Sequence, residues 1–402
     1  MTRGPAITTL PDLDAAQRAH SDATRAHIEA RAAAAGGWLP FDEYMELALY
    51  APGLGYYSAG ATKFGAAGDF VTAPEISDLF SRALALQFAD ILRELGGQTR
   101  ASILEIGAGS GRFAGVVLRE LATLQQSPSA YSILEVSADL IERQRASVTS
   151  LAGGEAARAH WLERLPTGHC GVIFANEVLD ALPTDRFVLR AGRPLRLGVA
   201  IGQSGLQWAE RAPVEGNPAD AAWLQEVQRV LGELREPLPE GYVGEICPRI
   251  DAWVGALGAA LERGVVMLID YGLPRRHYYH PDRVRGSLRC HFRHRAHEDP
   301  FSHPGLTDIT AWVDFTRVAE AADAAGLEVA GFSTQAAALL SLGIERLAHT
   351  DAARADSVRQ SQGMQKLLLP GEMGEAVKVM MLTRGMDAPL RSVRLQDLRG
   401  SL

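Results

Sequence analysis

The spacing of apolar and polar residues divides the chain into a helical beginning and a longer part in which strands and helices alternate. Residues 14 to 34, 41 to 50 and 77 to 95 show apolar positions at the helical period, which predicts three helices. Between the last two, residues 51 to 77 are dense in glycine, proline and aromatic residues. This composition indicates an ordered loop or lid rather than a flexible linker.

From residue 102 onward, short apolar runs alternate with helical segments, which favours a parallel sheet with helices on both faces. The runs that we expect to form its first strands are 102 to 106, 131 to 135, 172 to 176 and 265 to 270. Residues 187 to 210 alternate apolar and polar positions around glycine turns, which predicts an inserted β-meander. A helix is expected around 311 to 325, and two late strands over 327 to 334 and 378 to 385.

The 402 residues are 47% hydrophobic and 22% charged, which is typical of a soluble globular protein with one large domain or two. The net charge of −8 at pH 7 disfavours nucleic acid as a substrate. Three distant cysteines form no CxxC pair, so neither a disulfide framework nor a zinc site is indicated. Without a signal-peptide pattern or a run of roughly 20 apolar residues, we expect a cytoplasmic protein that does not bind membranes.

Candidate chemistry begins with ILEIGAGSGRFAG at residues 103 to 115, an apolar strand that breaks into a glycine-rich turn before a helix. Its alternating glycines, which let a ligand approach the backbone closely, are Gly107, Gly109 and Gly111. The dinucleotide-binding fingerprint needs another glycine where this chain has Arg112. The alternatives are a nucleoside ligand without a pyrophosphate, such as S-adenosylmethionine (SAM), or a purely structural corner.

Polar residues stand at the carboxyl ends of the first three predicted strands, where open α/β sheets bind their ligands. Glu105 ends the first strand, Glu135 ends the second, and Asn176 and Glu177 follow the third. A carboxylate after the second strand can accept hydrogen bonds from both ribose hydroxyls of an adenosine, which makes Glu135 the candidate for that contact. Each acid taken alone also fits a solvated strand end or a helix cap.

The segment NEVLDALP carries Glu177 and Asp180 beside the position where a transferable methyl group is expected. Two carboxylates there suit a cationic acceptor such as the planar guanidinium of arginine, which forms paired hydrogen bonds with carboxylates. Methyl transfer from a sulfonium is a direct displacement, so the protein mainly aligns the acceptor nitrogen and stabilises charge. The alternative is a turn that starts a helix and is capped by Asp180.

Four histidines fall close together in the segment CHFRHRAHEDPFSH. They are His291, His294, His297 and His303. Because no cysteine or clear carboxylate stands at ligand spacing, we interpret this segment as a structural or substrate-contacting loop and predict no metal.

Five blocks of the sequence together resemble the MidA family of SAM-dependent methyltransferases. They are GYYSAGATKFGAAGDFVTAPEIS, ILEIGAGSGRFAG, ANEVLDALPTDRF, VMLIDYG and GSLRCHFRHRAHEDPFSHPGLTDITAWVDF, and the resemblance runs from about residue 38 to the C-terminus. The mitochondrial members of that family are complex I assembly factors that act as protein arginine methyltransferases. The resemblance implies an α/β class I SAM-dependent methyltransferase fold. This fold has a Rossmann-like seven-stranded sheet with an antiparallel last strand, an N-terminal helical and lid segment and an inserted β-meander.

The resemblance also implies the roles of individual residues. The cofactor-binding residues are Glu105, Gly107, Ala108, Gly109, Ser110, Gly111, Glu135, Asn176, Thr72 and Pro74, and the catalytic residues are Glu177, Asp69, Asp180 and Glu75. Asp69 and Glu75 belong to the block GDFVTAPEIS, which lies against the cofactor site in the family, although they also fit a role in capping the loop. We expect the 51 to 77 segment to close over the cofactor and exclude water with Tyr56, Tyr57 and Phe70.

We divide the chain into four parts: an N-terminal helical region and lid (1 to 76), the first part of the SAM-binding core (77 to 186), an inserted meander and helix (187 to 250), and the second part of the core with a 286 to 310 loop (251 to 402). The implied function is SAM-dependent methylation of an arginine side chain in a protein such as a respiratory complex I subunit. The alternatives are a small-molecule methyltransferase, an assembly chaperone that binds SAM without catalysis, and an NAD-dependent dehydrogenase, which Arg112 disfavours.

Overall fold

A computed structural model describes residues 10 to 58, 72 to 96, 100 to 349, 354 to 386 and 390 to 402. Its first elements are α1 (Ala15–Ala34), β1 (Trp38–Leu39), α2 (Phe41–Tyr50), α3 (Ala73–Ile76) and α4 (Asp78–Glu94). The first helix begins with a capping box, in which the Asp14 carboxylate accepts from the Gln17 N–H at 2.8 Å and the Gln17 side chain accepts from the Asp14 N–H at 3.2 Å. The three helices expected in this region are confirmed.

The remaining elements alternate between strands and helices along most of the chain. The first part of the core contains β2 (Ser102–Ile106), α5 (Arg112–Thr123), β3 (Tyr131–Leu134), α6 (Ala138–Ala152), β4 (Ala159–Leu162) and β5 (His169–Asn176). The segment that follows contains β6 (Asp185–Arg190), β7 (Arg193–Gly202), β8 (Gly205–Arg211), α7 (Pro218–Gly232) and β9 (Val243–Ile246).

The last part of the chain returns to the core. It contains α8 (Arg249–Ala260), β10 (Leu261–Leu273), α9 (Arg275–Tyr278), β11 (Arg289–Phe292), β12 (Arg295–His297), β13 (Asp308–Thr310), β14 (Val313–Asp314) and α10 (Phe315–Ala324). It ends with β15 (Glu328–Thr334), α11 (Gln335–Ser341), α12 (Ile344–His349), α13 (Arg354–Leu368), α14 (Met373–Ala376) and β16 (Val377–Arg384). The helices α11 to α14 were not predicted from the sequence.

The central sheet has seven strands in the order β15-β16-β10-β5-β2-β3-β4, and the short β14 pairs with the end of β10. Five adjacent strands of this sheet, β10, β5, β2, β3 and β4, run parallel to one another. Strand β16 is antiparallel to both of its neighbours, β10 and β15. This arrangement confirms the expected seven-stranded sheet with an antiparallel last strand.

Helices cover both faces of the central sheet because its strands carry apolar side chains on both sides. On one face, the Phe113 ring of α5 stacks on the Phe174 ring of β5 with centroids 4.3 Å apart. On the other face, Val254 of α8 and Val318 of α10 belong to the same buried cluster as Ile173. The chain adds β3 and β4 on one side of β2 and then places β5 on the other side, so the strand order reverses between β2 and β5. This reversal creates a crevice at the carboxyl ends of the two strands.

Two smaller antiparallel sheets accompany the central one. The inserted meander β6 to β8 confirms the prediction, and it forms a sheet with β1 and β9 in the order β1-β7-β6-β9, with β8 paired to β7. The segment expected to be a long loop contains a three-stranded sheet, β12-β11-β13. Its strands are too short to show a period in the sequence, and they are defined by their pairing. None of the helices in the described part of the chain combines the length and the apolar character needed to cross a membrane.

Candidate active site

A cavity of about 830 Å³ lies at the carboxyl ends of β2, β3 and β5, where the strand order reverses. Cavities of this volume hold small-molecule ligands and cofactors. The sequence-predicted residues that line it are Thr72, Pro74, Glu75, Glu105, Gly107, Ala108, Gly109, Ser110, Glu135, Asn176 and Glu177. Within the described ranges, Gly111 and Asp180 do not line the cavity, and Asp69 lies outside those ranges.

The glycine turn between β2 and α5 needs glycine for its backbone and for its close contacts. Gly107 and Gly109 have φ angles of 72° and 52°, in the left-handed region that L side chains rarely adopt. A Cβ atom on Gly107 would lie 2.7 Å from the Cγ2 atom of Val178, in the loop that follows β5. The turn therefore exposes its backbone to the cavity and packs directly against the neighbouring loop.

Gly111 was expected to bind the cofactor, but in the structure it contacts another helix. This residue precedes α5 with a φ of 79°, and a Cβ atom on it would lie 2.9 Å from the Cα atom of Gln144 on α6. The third glycine thus permits the close approach of two helices, and it faces α6 instead of the cavity.

Glu105 is placed at the wall of the cavity with its carboxyl group in the protein interior. It is 3% exposed, and its Oε2 atom accepts a hydrogen bond of 2.7 Å from the Tyr131 hydroxyl on β3. Burial raises the pKa of Glu105 to about 7, although the hydrogen bond from Tyr131 favours the ionised form. The group can therefore hold a proton at neutral pH.

Glu135 is held rigidly at the end of β3. Its Oε1 atom accepts hydrogen bonds from the backbone N–H groups of Val136 and Ser137 at 2.9 and 3.0 Å. Its Oε2 atom accepts one from the Gln144 side chain at 3.1 Å. A carboxylate has room for about four such bonds, so Glu135 retains an acceptor position for a ligand.

Gln144 connects the acid after β3 to the glycine turn, a role that the sequence analysis missed. Its Nε2 atom also donates to the Gly109 carbonyl at 3.2 Å, and its Oε1 atom accepts from the Trp161 indole at 2.8 Å. Gln144 is fully buried on α6. A buried amide on the apolar face of a helix is a sequence signal for such a network, since it needs partners in the interior.

Glu177 follows β5 in an unusual backbone conformation. Its φ of 53° lies in the left-handed region, which costs a non-glycine residue on the order of 1 to 3 kcal/mol and is commonly found at functional sites. Its Oε1 atom accepts from the Asn176 side chain at 2.9 Å and from the Ala73 N–H at 3.3 Å. Burial raises the pKa of Glu177 to about 7, while these two hydrogen bonds lower it.

Asn176 also supplies an atom that a ligand can use. Its Oδ1 atom is buried, and no donor among the described residues reaches it. Because Asn176 lines the cavity, this oxygen is available to a donor group of a bound molecule.

Asp270, at the end of β10, shapes the loop that carries Glu177. Its Oδ2 atom accepts hydrogen bonds from three successive N–H groups, those of Val178, Leu179 and Asp180, at 3.1, 2.8 and 3.2 Å. Asp270 lies in the block VMLIDYG, but its role could not be predicted from the sequence. The carboxylate acts as an internal cap that fixes the turn after β5.

Asp180 lies behind this turn and not on the surface of the cavity. It is 8% exposed, and its pKa is raised well above the ordinary value, first by burial and then by Asp270, Glu177 and Asp308. The expectation that Asp180 stands beside the reacting group does not match its position, because the 178 to 180 turn folds over Asp270 and carries Asp180 inward.

Glu75 lines the cavity and contacts the glycine turn. The Ser110 hydroxyl donates to the Oε1 atom of Glu75, and the Ser110 Oγ atom accepts from the Arg112 N–H at 3.2 Å. Thr72 and Pro74, at the beginning of α3, lie at the same edge of the cavity. The α3 segment is thereby tied to the turn that follows β2.

Two tyrosines from the N-terminal region complete the wall. The rings of Tyr50 and Tyr57 stack with centroids 5.4 Å apart and an interplanar angle of 22°. Tyr56, also expected near the ligand, is 2% exposed and packs in the N-terminal core, whereas Phe70 lies outside the described residues. The sequence analysis did not single out Tyr50.

The four histidines of the 291 to 303 segment lie on and beside the three-stranded sheet, and none of them lines the cavity. In the part of the chain that the structure describes, no group of three or more histidine, cysteine, aspartate or glutamate side chains could hold a metal ion.

Comparison with known proteins identifies the family. Residues 83–333 match the family described as "Putative S-adenosyl-L-methionine-dependent methyltransferase". This match covers more than half of the chain, and the chain belongs to this family of SAM-dependent methyltransferases. The expected enzyme class, cofactor and class I methyltransferase fold are confirmed.

Two curated relatives and one solved structure are similar over most of the chain. The Drosophila melanogaster mitochondrial protein arginine methyltransferase NDUFAF7 homolog is 29% identical over 72% of this chain and 68% of its own length. The human protein arginine methyltransferase NDUFAF7, also mitochondrial, is 28% identical over 83% of this chain and 77% of its own. A Burkholderia thailandensis crystal structure bound to S-adenosyl-homocysteine is 39% identical, with a TM-score of 0.89, over 98% of this chain and 100% of that one.

These comparisons correct one expectation. The cytoplasmic location predicted from the lack of targeting signals is wrong, because the curated relatives of this chain are named as mitochondrial proteins.

Proposed function

We propose that this member of the SAM-dependent methyltransferase family methylates an arginine side chain of a protein, with Glu177 orienting the acceptor. The observation that carries the proposal is the Glu177 carboxylate, which lines the cavity on a left-handed backbone and is fixed by two hydrogen bonds. The fly and human relatives, named protein arginine methyltransferases, support an arginine acceptor. A respiratory complex I subunit is the first acceptor to test, since the sequence resembles the MidA family, whose mitochondrial members are complex I assembly factors.

The residues around the glycine turn fit SAM. Glu135 keeps an acceptor position for a ribose hydroxyl, and the bare backbone at Gly107 and Gly109 permits close contact with the ligand. The buried Oδ1 atom of Asn176 offers a further acceptor, and Glu105 lies near the same turn. When bound, SAM supplies a methyl group on a positively charged sulfur.

The acceptor side needs a carboxylate because guanidinium is protonated at every workable pH. The nitrogen that gains a methyl group loses one proton, and a nearby base must receive it. Glu177 holds its own proton up to about pH 7 in the protein without ligand, and an arriving cation favours its ionised form. The ionised carboxylate then orients the guanidinium and accepts the proton that the nitrogen releases.

The other predicted acids take supporting places in this proposal. Glu75 lines the cavity and holds Ser110 of the glycine turn, so it positions the cofactor side. Asp180 lies behind the loop, and because burial and the neighbouring acids raise its pKa well above the ordinary value, it holds its proton and adds no charge to the acceptor site. Neither is proposed to receive the proton.

The test combines substrate discovery with one substitution. The pure protein is incubated with labelled SAM and a lysate of cells that lack it, and the labelled product is examined for methylarginine by mass spectrometry. Glu177→Gln should lower turnover about 100-fold or more and leave the affinity for S-adenosyl-homocysteine nearly unchanged. With wild-type protein, kcat/KM should rise with pH through about 7, because this ratio reports the ionisation of Glu177 in the enzyme without its acceptor.

A matched control is Glu328→Gln, an exposed glutamate at the start of β15, for which we expect wild-type turnover. Full turnover in Glu177→Gln would remove this residue from the mechanism. A labelled lysine, histidine or small molecule in place of methylarginine would contradict the proposed acceptor class.

A further inference from the structure

The aromatic pair Tyr50 and Tyr57 lines the cavity, and the function proposed above gives it no role. Tyr50 is the last residue of α2. It lines the cavity and is 38% exposed. Its ring is stacked on Tyr57 and therefore presents a fixed surface.

Backbone contacts hold the two rings in register. The chain turns back after α2, so that the Tyr56 N–H donates to the Ala48 carbonyl at 2.9 Å and the Tyr57 N–H donates to the Leu49 carbonyl at 2.7 Å. Gly55 permits this return, because a Cβ atom on it would lie 2.5 Å from the Leu49 carbonyl carbon. The stacked pair is thus built into the fold.

Both hydroxyl groups are anchored to segments far away in the sequence. The Tyr50 hydroxyl donates to the Ala181 carbonyl at 2.9 Å, just after the loop that carries Glu177. The Tyr57 hydroxyl donates to the Oδ1 atom of Asp308 at 2.9 Å. Asp308 is 2% exposed and is the first residue of β13, where it pairs with His291 of β11. The three-stranded sheet thereby anchors Tyr57 in the wall of the cavity through Asp308.

The surroundings of the two rings favour positive charge. Asp180 and Asp308 both raise the pKa of Tyr50 and of Tyr57, after burial as the main cause, so both phenols stay neutral. The cation that acts on Tyr50 is Arg249, whose own guanidinium is paired with Glu46 on α2. A neutral aromatic ring attracts cations through its quadrupole.

We infer that the stacked pair Tyr50 and Tyr57 forms the wall of the acceptor subsite and selects a flat, delocalised cation, with the acceptor guanidinium stacking on the exposed part of the Tyr50 ring. This inference rests on the proposed arginine methylation and names the residues that recognise the acceptor. A planar guanidinium is weakly hydrated and stacks on aromatic rings, whereas a lysine ammonium is compact and strongly hydrated. Asp308 is a positioning residue that acts through Tyr57.

The test measures recognition separately from transfer. The full-length protein, saturated with S-adenosyl-homocysteine, is titrated with N-acetyl-arginine methylamide, and the probe's side-chain protons are followed by NMR. Wild-type protein should bind the probe and shift these protons upfield through the ring current of Tyr50. The corresponding lysine amide should bind at least about tenfold more weakly.

Substitutions separate the ring from its hydroxyl group. Tyr50→Ala and Tyr50→Leu should each weaken probe binding and raise the KM for the arginine acceptor about tenfold, with the affinity for S-adenosyl-homocysteine within about twofold of wild type. Tyr50→Phe, which keeps the ring, should stay within about threefold. Asp308→Asn keeps an oxygen for the Tyr57 hydroxyl and should resemble wild type, whereas Tyr57→Phe should reduce the upfield shift.

The outcomes distinguish this inference from the proposed function. If wild-type protein forms methylarginine in the lysate but Tyr50→Ala and Tyr50→Leu keep the wild-type KM, only the aromatic wall is overturned. Failure of the arginine probe to bind, or equal binding of the lysine amide, overturns it as well. If the wild-type protein forms no methylarginine, the proposed function fails, and the inference that rests on it fails too.

Discussion

Replacement of Glu105 by glutamine should stabilise the protein above neutral pH and leave its stability nearly unchanged near pH 5. The Glu105 carboxyl is 3% exposed at the end of β2, and burial raises its pKa from the ordinary 4.5 to about 7, although the hydrogen bond from Tyr131 favours ionisation. Glutamine has the shape of the protonated carboxyl. Its amide oxygen can accept the same hydrogen bond from the Tyr131 hydroxyl.

The size and sign of the effect follow from the two pKa values. The unfolded chain releases the Glu105 proton above about pH 4.5, whereas the folded chain keeps it up to about pH 7. In this window the folded state binds one more proton, so the free energy of unfolding falls as the pH rises, and the loss is complete above about pH 7. One pKa unit is about 1.4 kcal/mol, so the ionised carboxyl costs about 3 kcal/mol at pH 8 and less than about 1 kcal/mol at pH 5.

The assay is urea unfolding of wild-type protein and Glu105→Gln at pH 5 and pH 8. The variant should exceed wild type by about 3 kcal/mol in free energy of unfolding at pH 8 only. Tyr131→Phe is the matched comparison: it removes a hydrogen bond to the ionised carboxylate, and it should therefore destabilise the protein more at pH 8 than at pH 5. A difference between wild type and Glu105→Gln that is equal at both pH values would refute the reasoning, because it would mean that folding does not change the pKa of Glu105.

Three further predictions concern the rest of the site. Glu135→Ala should weaken S-adenosyl-homocysteine binding by about 2 kcal/mol in calorimetry, because it removes an acceptor that three donors hold in place; unchanged affinity would separate this acid from the cofactor. Gly111→Ala should destabilise the protein by about 2 kcal/mol in thermal unfolding, since its Cβ would press on Gln144; an unchanged melting temperature would show that α6 can yield. Asp270→Ala should lower turnover at least about tenfold in the folded protein, because the N–H groups of residues 178 to 180 lose their acceptor. Wild-type turnover in this variant would show that Asp270 is not needed to position the site.

The sequence was sufficient for six of the seven strands of the central sheet, all but β4, and for most of the residues that line the cavity. Buried parallel strands are short, continuous apolar runs, so β2 was predicted with its observed bounds and β3 to within one residue. The glycine turn is equally local, because positive φ angles at Gly107 and Gly109 require glycine wherever that turn occurs. The carboxyl ends of neighbouring parallel strands lie at one edge of a sheet, which is why Glu105, Glu135 and Glu177 could be expected around one cavity.

Side-chain orientation around that edge was not predictable in the same way. Gly111 and Asp180 lie near the right strand ends, yet one packs against α6 and the other is carried behind its loop by the Asp270 cap. Both outcomes depend on residues from other elements, and no local pattern in the sequence records them. The helices α11, α12 and α14 were missed for a different reason, since they have only seven, six and four residues, too short for a clear period.

The sequence alone thus determined what repeats locally: apolar periods, turn glycines and the acids that follow strands. The tertiary structure decided which distant groups meet, because hydrogen bonds such as those from Tyr57 to Asp308, 251 residues apart, and from Trp161 to Gln144 form only after the elements have packed. Such contacts are selected by the packing of whole helices and sheets, whose energy is summed over many side chains. A pattern of neighbouring residues shows which secondary structure a segment prefers. It does not show which other segment of the chain that segment will contact.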